Sequence, residues 1–261
     1  MPNPSIQNQL KTIVMRRRFE DKQRFELQHS AAKFVLRNSE SISSPNFNEI
    51  SSADLGLLFQ ITDEHFFDGT VGRLCEQKAN RPLSFRLSTR MTSAGGMTTM
   101  SEKTNGKNKQ EFEYEIAIAT TPLFSTFKNE STAVVSGLQC LNRIQALQRI
   151  MEHEMIHLVE MLLWDDSNCQ ANPFKKIARR FFGHTESNHQ LMTPKDVARK
   201  RLGISEGDLV TFSMEGRRLT GHVNRITKRA TVLVASPSGE MYDDGKKYSK
   251  FYVPLSRLKR A

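Results

Sequence analysis

The feature that most restricts the fold is a pair of histidines, His153 and His157, within the segment from residue 132 to residue 164. This segment is largely apolar, with Leu, Ile and Met at helical spacing, and it predicts one long core helix. Residues four apart lie on the same face of an α-helix, so both imidazoles can reach one ion. Glu154 lies beside them, near the coordination position that such an ion leaves open.

The pattern His153-Glu154-Met155-Ile156-His157 predicts a site for one zinc ion with hydrolytic chemistry. Zinc lowers the pKa of a bound water towards about 7, and Glu154 could accept its proton as a general base. The resulting hydroxide would add to a peptide carbonyl that the metal polarises. The alternative is two ordinary histidines that flank a glutamate by chance. With seven histidines in 261 residues, such a coincidence is rare.

The segments around this helix indicate an α+β fold. Periodicity and turn residues predict a helix over 52–67, strands over 83–88 and 112–119, a short strand after Gly95-Gly96, a polar loop over 101–110 and a helix over 173–182. Ser51 or Ser52 can cap the first helix, and Gly183 ends the last one. Helices and strands in this order are typical of an α+β domain.

Three of these segments resemble the SprT-like (Spartan-type) metallopeptidase family. Residues 58–67 look like its leading helix, residues 87–96 like its strand and turn, and residues 153–157 like its active-site helix. The resemblance covers residues 52–190 and implies a zincin-like domain that binds one zinc ion and cleaves proteins. It also implies that residues 115–119 form an edge strand, on which a peptide is laid by strand addition.

The third zinc ligand departs from the pattern of that family, which places a histidine in a turn before a helix that begins with an aromatic residue. Alignment on Phe174 puts Gln170 at this position, and glutamine is a poor zinc ligand. The alternatives are His184, Cys169 and His189. His184 is the expected ligand, because the preceding glycine can break the helix and redirect the chain.

Glu160 lies on the same helical face as His153 and His157 but one turn too far along to coordinate the ion. We therefore expect Glu160 to orient either a ligand or a nearby segment of the chain.

The last part of the chain has a different composition, because residues 191–261 contain fifteen Lys and Arg against seven Asp and Glu. Short alternating strands there predict a small all-β barrel that resembles SH3-like barrels. Cations cluster at Arg225, Lys228 and Arg229 and again at Lys246 and Lys247. Since Lys and Arg attract phosphates, these five residues are candidates for binding DNA.

Aromatic residues alternate with cations near the second of these clusters, at Tyr248, Phe251 and Tyr252. This mixture suits stacking on the bases of a single strand. The alternative is that the aromatic rings fill the core of the barrel while the lysines remain in solvent.

These patterns predict three regions: a basic N-terminal arm or peripheral helix over 1–48 with Arg16-Arg17-Arg18, a SprT-like zinc metallopeptidase domain over 49–192 and a basic SH3-like barrel over 193–261. The arm is expected to lie outside the core, because its apolar residues keep no clean helical period.

The expected function is that of a zinc-dependent endopeptidase acting on protein substrates near DNA, as in DNA repair; bacterial members of the family with a C-terminal barrel are the closest kind. The alternative is a non-catalytic adaptor with a zinc-stabilised fold, which binds nucleic acid or protein. No apolar run approaches the roughly 20 residues that cross a bilayer. Three widely spaced cysteines make a disulfide framework improbable, so the expected location is the cytoplasm.

Overall fold

The computed structural model describes residues 5–79, 81–104, 110–127 and 132–261, and the fold is a mixed α+β one. The chain divides into unit 1, Met1–Leu191, and unit 2, Met192–Ala261. Among the residues described, no helix is both long and apolar enough to span a membrane.

The helices of unit 1 surround a small sheet. They are α1 (Ile6–Arg16), α2 (Asp21–Asn38), α3 (Ser52–Phe67), α4 (Thr70–Ala79), α5 (Thr120–Thr126), α6 (Arg143–Trp164) and α7 (Asn172–Phe182). The predicted capping of α3 is confirmed: the Ser51 side chain accepts from the Asp54 N–H, and the Asp54 carboxylate accepts from the Ser51 N–H.

The strands of unit 1 form a three-stranded sheet and a separate hairpin. They are β1 (Ser84–Ser88), β2 (Gly96–Thr104), β3 (Gln110–Ala119), β4 (Ala133–Val135) and β5 (Leu138–Cys140). In the sheet the order is β1-β3-β2, with β3 parallel to β1 and antiparallel to β2. β2 occupies part of the predicted polar loop over 101–110, because it continues to Thr104.

The expectation that residues 115–119 form an edge strand is wrong, because β3 is the central strand and β2 is an edge. Residues 116–119 are all fully buried, on both faces of the sheet. A central strand covered on both faces needs small or apolar side chains throughout, which Ile116, Ala117, Ile118 and Ala119 provide.

The predicted helix over 132–164 is wrong in its first part, where β4 and β5 form a hairpin. Ser136 and Gly137 have φ values of 53° and 77°, and a two-residue hairpin turn with both φ values positive suits adjacent twisted strands. α6 begins only after Asn142, whose side chain accepts a hydrogen bond from the Gln145 N–H.

The N-terminal residues do not form a separate arm, because α1 and α2 pack into the core of unit 1. Leu10 and Val14 of α1 and Ala31 and Val35 of α2 are at most 1% exposed. Arg17 donates to the carboxylate of Asp68 at the end of α3. The apolar residues of this region are therefore core residues, although their spacing mixes two separate helices.

Unit 2 consists of a short helix and one antiparallel sheet. The elements are α8 (Pro194–Val197), which continues through a π-helical turn to Leu202, β6 (Leu209–Met214), β7 (Arg217–Ile226), β8 (Arg229–Met241), β9 (Lys247–Pro254) and β10 (Lys259–Arg260). The strand order is β10-β6-β7-β8-β9. Across residues 192–261 the strand pairs leave β9 and β10 as edges, so the pairing describes a five-stranded sheet and not a closed barrel.

Candidate metal centre

The two histidines of α6 face each other across one turn of the helix. Their Nε2 atoms lie 3.2 Å apart. Two nitrogen ligands that are each about 2.0 Å from a tetrahedral zinc ion are about 3.3 Å from one another. The spacing of His153 and His157 therefore suits a shared metal ion.

Both imidazoles are neutral at physiological pH. Burial lowers the pKa of His153 to about 3, and repulsion by His157, His184 and His189 adds to this effect. Burial also lowers the pKa of His157 to about 4. Phe174 of α7 covers both rings, with centroids 4.8 Å from His153 and 4.6 Å from His157. Neutral imidazoles keep the lone pairs that a metal requires.

A chain of hydrogen bonds fixes the orientation of His157. The Ser167 hydroxyl donates to Oε2 of Glu160 at 2.7 Å, and Nδ1 of His157 lies 2.7 Å from the same hydroxyl oxygen. Since the single hydroxyl hydrogen goes to Glu160, Nδ1 must be the donor to Ser167. This tautomer leaves the lone pair of His157 on Nε2, where it faces His153.

Cys169 joins this pair. One ligand atom from each of His153, His157 and Cys169 lies within 4.8 Å of the others, and of the residues described only these three His, Cys, Asp or Glu side chains form such a group. Two imidazoles and one thiolate are typical zinc ligands, and three protein ligands leave a fourth position open, as in catalytic sites. The donor set therefore fits zinc.

The structure does not bring His184, the predicted third ligand, into this group. His184 is 3% exposed and its Nε2 lies 2.9 Å from Oε2 of the fully buried Glu152. Arg149 and Gln28 donate to the same carboxylate. Gly183 redirects the chain as expected, but it brings the imidazole of His184 against the buried carboxylate of Glu152.

The other two candidates for the third ligand are Gln170 and His189. Gln170 is exposed, and its amide donates to the Ser187 hydroxyl at 3.0 Å. His189 lines the cavity that His153 and His157 also line, and its Nδ1 accepts from the Leu191 N–H at 3.3 Å. Burial lowers the pKa of His189.

Glu154 lies against the start of β2. It is 4% exposed, and its Oε2 accepts from the Thr98 hydroxyl at 2.8 Å. Burial raises the pKa of Glu154 to about 7, although hydrogen bonds from the side chain and main chain of Thr98 oppose this shift. A Cβ atom on Gly96 would lie 2.7 Å from Oε1 of Glu154. Only glycine at position 96 leaves room for this carboxylate.

These groups share one cavity of about 470 Å³. Its lining includes Gly96, Thr98, His153, Glu154, His157 and Cys169, together with residues 135–136 of the hairpin and residues 187–189. β2 is an edge of the sheet beside this cavity. The Ala119 N–H donates to the Gly95 carbonyl at 2.8 Å, so the alternate residues of β2, beginning at Gly96, direct their peptide groups away from β3.

The five predicted DNA-binding residues are all exposed but form two separate groups in unit 2. Arg225, Lys228 and Arg229 lie around the turn between β7 and β8, whereas Lys246 and Lys247 lie at the turn between β8 and β9. These turns are at opposite ends of β8, so the structure does not bring the five residues together.

Sequence reasoning missed Ser167, Thr98 and Gly96. Ser167 follows α6 in an apparent stop signal, Asp165-Asp166-Ser167-Asn168, and nothing in the pattern marks its hydroxyl as a partner of His157. Gly96 was visible as half of Gly95-Gly96, but a turn explained that pair without a close approach by a side chain.

Comparisons of the chain with protein-family models, with curated proteins and with solved structures found no match.

Proposed function

We propose that this chain is a zinc-dependent endopeptidase of the SprT-like, zincin-like type. The observation that carries the proposal is the grouping of His153, His157 and Cys169 around one point, with the buried carboxylate of Glu154 in the same cavity. A purely structural metal site has no need of a carboxylate that does not bind the metal. The resemblance of residues 52–190 to SprT-like peptidases supports the same conclusion.

The residues of the chain divide the work of peptide hydrolysis. His153, His157 and Cys169 would hold the metal, which supplies Lewis acidity that polarises a carbonyl and acidifies water. Glu154 accepts the proton of the attacking water, and burial, which raises the pKa of this carboxyl to about 7 in the metal-free chain, makes it a stronger base. Thr98 holds the Glu154 carboxylate in place. Glu154 then returns the proton to the leaving amine.

The edge strand β2 supports an extended peptide as the substrate. The N–H and C=O groups of Gly96 and Met100 do not pair with β3, and they point away from it towards the open edge of the sheet. A substrate segment that adds to this edge would bond to the main chain of β2, with side-chain specificity left to the cavity. A folded substrate segment does not fit this mode, so we expect cleavage in unfolded or extended regions.

The positive charge of unit 2 favours substrates that are associated with DNA. Residues 191–261 hold a surplus of eight cations, from fifteen Lys and Arg against seven Asp and Glu. Such a surplus favours phosphates through the release of condensed counterions. We propose that unit 2 binds nucleic acid and thereby concentrates the peptidase near DNA-bound proteins.

The test compares wild type with Glu154→Gln and His153→Ala on an unfolded protein and on a DNA-bound protein. Glu154→Gln should retain stoichiometric zinc and lose cleavage by about 10²–10⁴-fold, because only the base is removed. His153→Ala should lose both zinc and cleavage. Equal cleavage by wild type and Glu154→Gln would refute the peptidase. Zinc binding without cleavage by wild type would favour the adaptor.

A further inference from the structure

The sheet of unit 2 is strongly charged on its strands. β6 to β10 hold eight cations, namely Arg217, Arg218, Arg225, Arg229, Lys247, Lys250, Lys259 and Arg260. Their one acidic residue is Glu240, which accepts from Lys250 at 2.6 Å. The other acidic residues of unit 2 lie in α8 and in turns. The sheet therefore complements a polyanion.

The two cationic groups differ in their aromatic neighbours. At the end with Lys246 and Lys247, the Tyr248 hydroxyl donates to Asp244 at 2.7 Å and its ring packs edge-on against Tyr242. That ring is already occupied by contacts within the chain. Phe251 is opposite Val232 and packs against Phe212, with ring centroids 5.6 Å apart, so it is half-buried against the core of unit 2.

Tyr252 is different, because it is 61% exposed on the outer face of β9. Its cross-strand partner on β8 is Thr231, and the partner of Thr231 on β7 is Arg225. Residues in one cross-strand row point to the same face of a sheet. Arg229 shares this face, because it lies two residues before Thr231 on the same strand. The row thus places an open aromatic ring on the edge strand β9, beside the two strands that carry these arginines.

We propose that this face, defined by Arg225, Arg229 and Tyr252 with Lys228 in the adjacent turn, binds a single-stranded polynucleotide. Arg225, Lys228 and Arg229 contact phosphates, and Tyr252 stacks on a base. A ring on a sheet surface reaches the flat face of a base only where the base is unstacked, as in a single strand. The inference rests on the nucleic-acid binding proposed above for unit 2 and does not depend on the peptidase.

The experiment measures binding of fluorescent oligothymidylate to the full-length chain by anisotropy across a salt series. Tyr252→Ala should weaken binding about 5- to 150-fold, the range for loss of one stacked base. Tyr252→Phe, which keeps the ring, should bind within about twofold of wild type. Arg225→Ala/Arg229→Ala should lower the slope of log K against log salt by about 1.4, since each single-strand phosphate contact contributes about 0.7.

The matched control is Lys246→Ala/Lys247→Ala, which removes the same charge at the other end of β8. Its salt slope should stay close to that of wild type. A loss in this control equal to that of the arginine pair would overturn the proposal, and so would unchanged binding by Tyr252→Ala. Equal affinity for duplex and single strand, both independent of Tyr252, would also overturn it.

Absence of any binding to oligothymidylate by wild type would reject both this face and nucleic-acid binding by unit 2. The peptidase would be unaffected, because its test is cleavage by wild type against Glu154→Gln. Tyr252 is exposed, so its variants should melt at the temperature of wild type, which circular dichroism checks.

Discussion

The Nδ1 atom of His157 lies 2.7 Å from the hydroxyl oxygen of Ser167, which in turn donates to Glu160. This contact selects the tautomer in which His157 presents its Nε2 lone pair to His153. Ser167 follows α6 and is therefore held by the chain reversal after Trp164, where Asp165 adopts a left-handed conformation. The turn that ends α6 thus sets the tautomer of His157, which lies two turns before the end of the helix.

Ser167→Ala should weaken zinc binding by about 10- to 100-fold, the usual effect of removing a partner of a ligand histidine. The measurement is competition for zinc against a chromogenic chelator. Ser187→Ala is the matched control, because Ser187 lines the same cavity but bonds to Gln170 and not to a ligand. Equal affinities for Ser167→Ala and wild type would contradict the role of Ser167.

Cys169→Ser should weaken zinc binding further than Ser167→Ala does, because it removes one of the three proposed ligands. His184→Gln should keep stoichiometric zinc and lose about 1–3 kcal/mol of unfolding free energy, because the buried carboxylate of Glu152 loses a partner. Elemental analysis and urea denaturation measure the two effects. Zinc retained by Cys169→Ser but lost by His184→Gln would reverse the assignment.

Gly96→Ala should reduce cleavage about 100-fold while zinc affinity stays within a few-fold. The added methyl group would lie 2.7 Å from Cγ and Oε1 of Glu154, so the base must move although the metal ligands do not. Gly56→Ala is the control, since its nearest atoms are 3.7 Å away on Phe85. A Gly96→Ala variant that loses zinc and cleavage together would show that the effect is not confined to Glu154.

The unfolding free energy of the metal-free chain should decrease as the pH falls below 6.5, because His153 and His157 take up protons more readily in the unfolded chain. Their folded-state pKa values are lowered to about 3 and about 4, so the unfolded chain binds their protons first. Their stabilising contribution is complete above pH 6.5 and is lost as the pH falls towards those values. His153→Gln/His157→Gln removes this contribution.

The measurement is urea denaturation in the presence of a chelator, from pH 7.5 to pH 4. The difference in unfolding free energy between wild type and the double variant should shrink as the pH falls. Other titrating groups, such as Asp63 with its pKa raised to about 6 by burial, are common to both proteins and cancel. A difference that is constant with pH would show that the two histidines protonate freely in the folded state.

The sequence was sufficient where local signals act alone. The spacing of His153 and His157 predicts that they share a helical face, and their Nε2 atoms are 3.2 Å apart. The cap of α3, expected at Ser51 or Ser52, and the stop at Gly183 are confirmed for the same reason, since caps depend on neighbours within a few residues.

The sequence-based predictions were wrong where a residue contacts a part of the chain that is distant in sequence. His184 satisfies the general pattern of a third ligand, but Glu152 lies 2.9 Å from its Nε2. Residues 133–140 carry apolar residues that suit a helix, yet the hairpin forms because Ser136 and Gly137 accept positive φ angles and the hairpin pairs with residues 188–190. Such tertiary partners cannot be seen in a single sequence.

One wall of the cavity is closed by main-chain hydrogen bonds between the β4–β5 hairpin and the last residues of unit 1. The Ser136 N–H donates to the Asn188 carbonyl, and the Gln190 N–H donates to the Val134 carbonyl, each at 2.8 Å. During synthesis, His153 and His157 leave the ribosome well before residue 190 does. The nascent chain therefore carries these two histidines without an enclosed pocket, and the cavity can close only after nearly all of unit 1 has emerged.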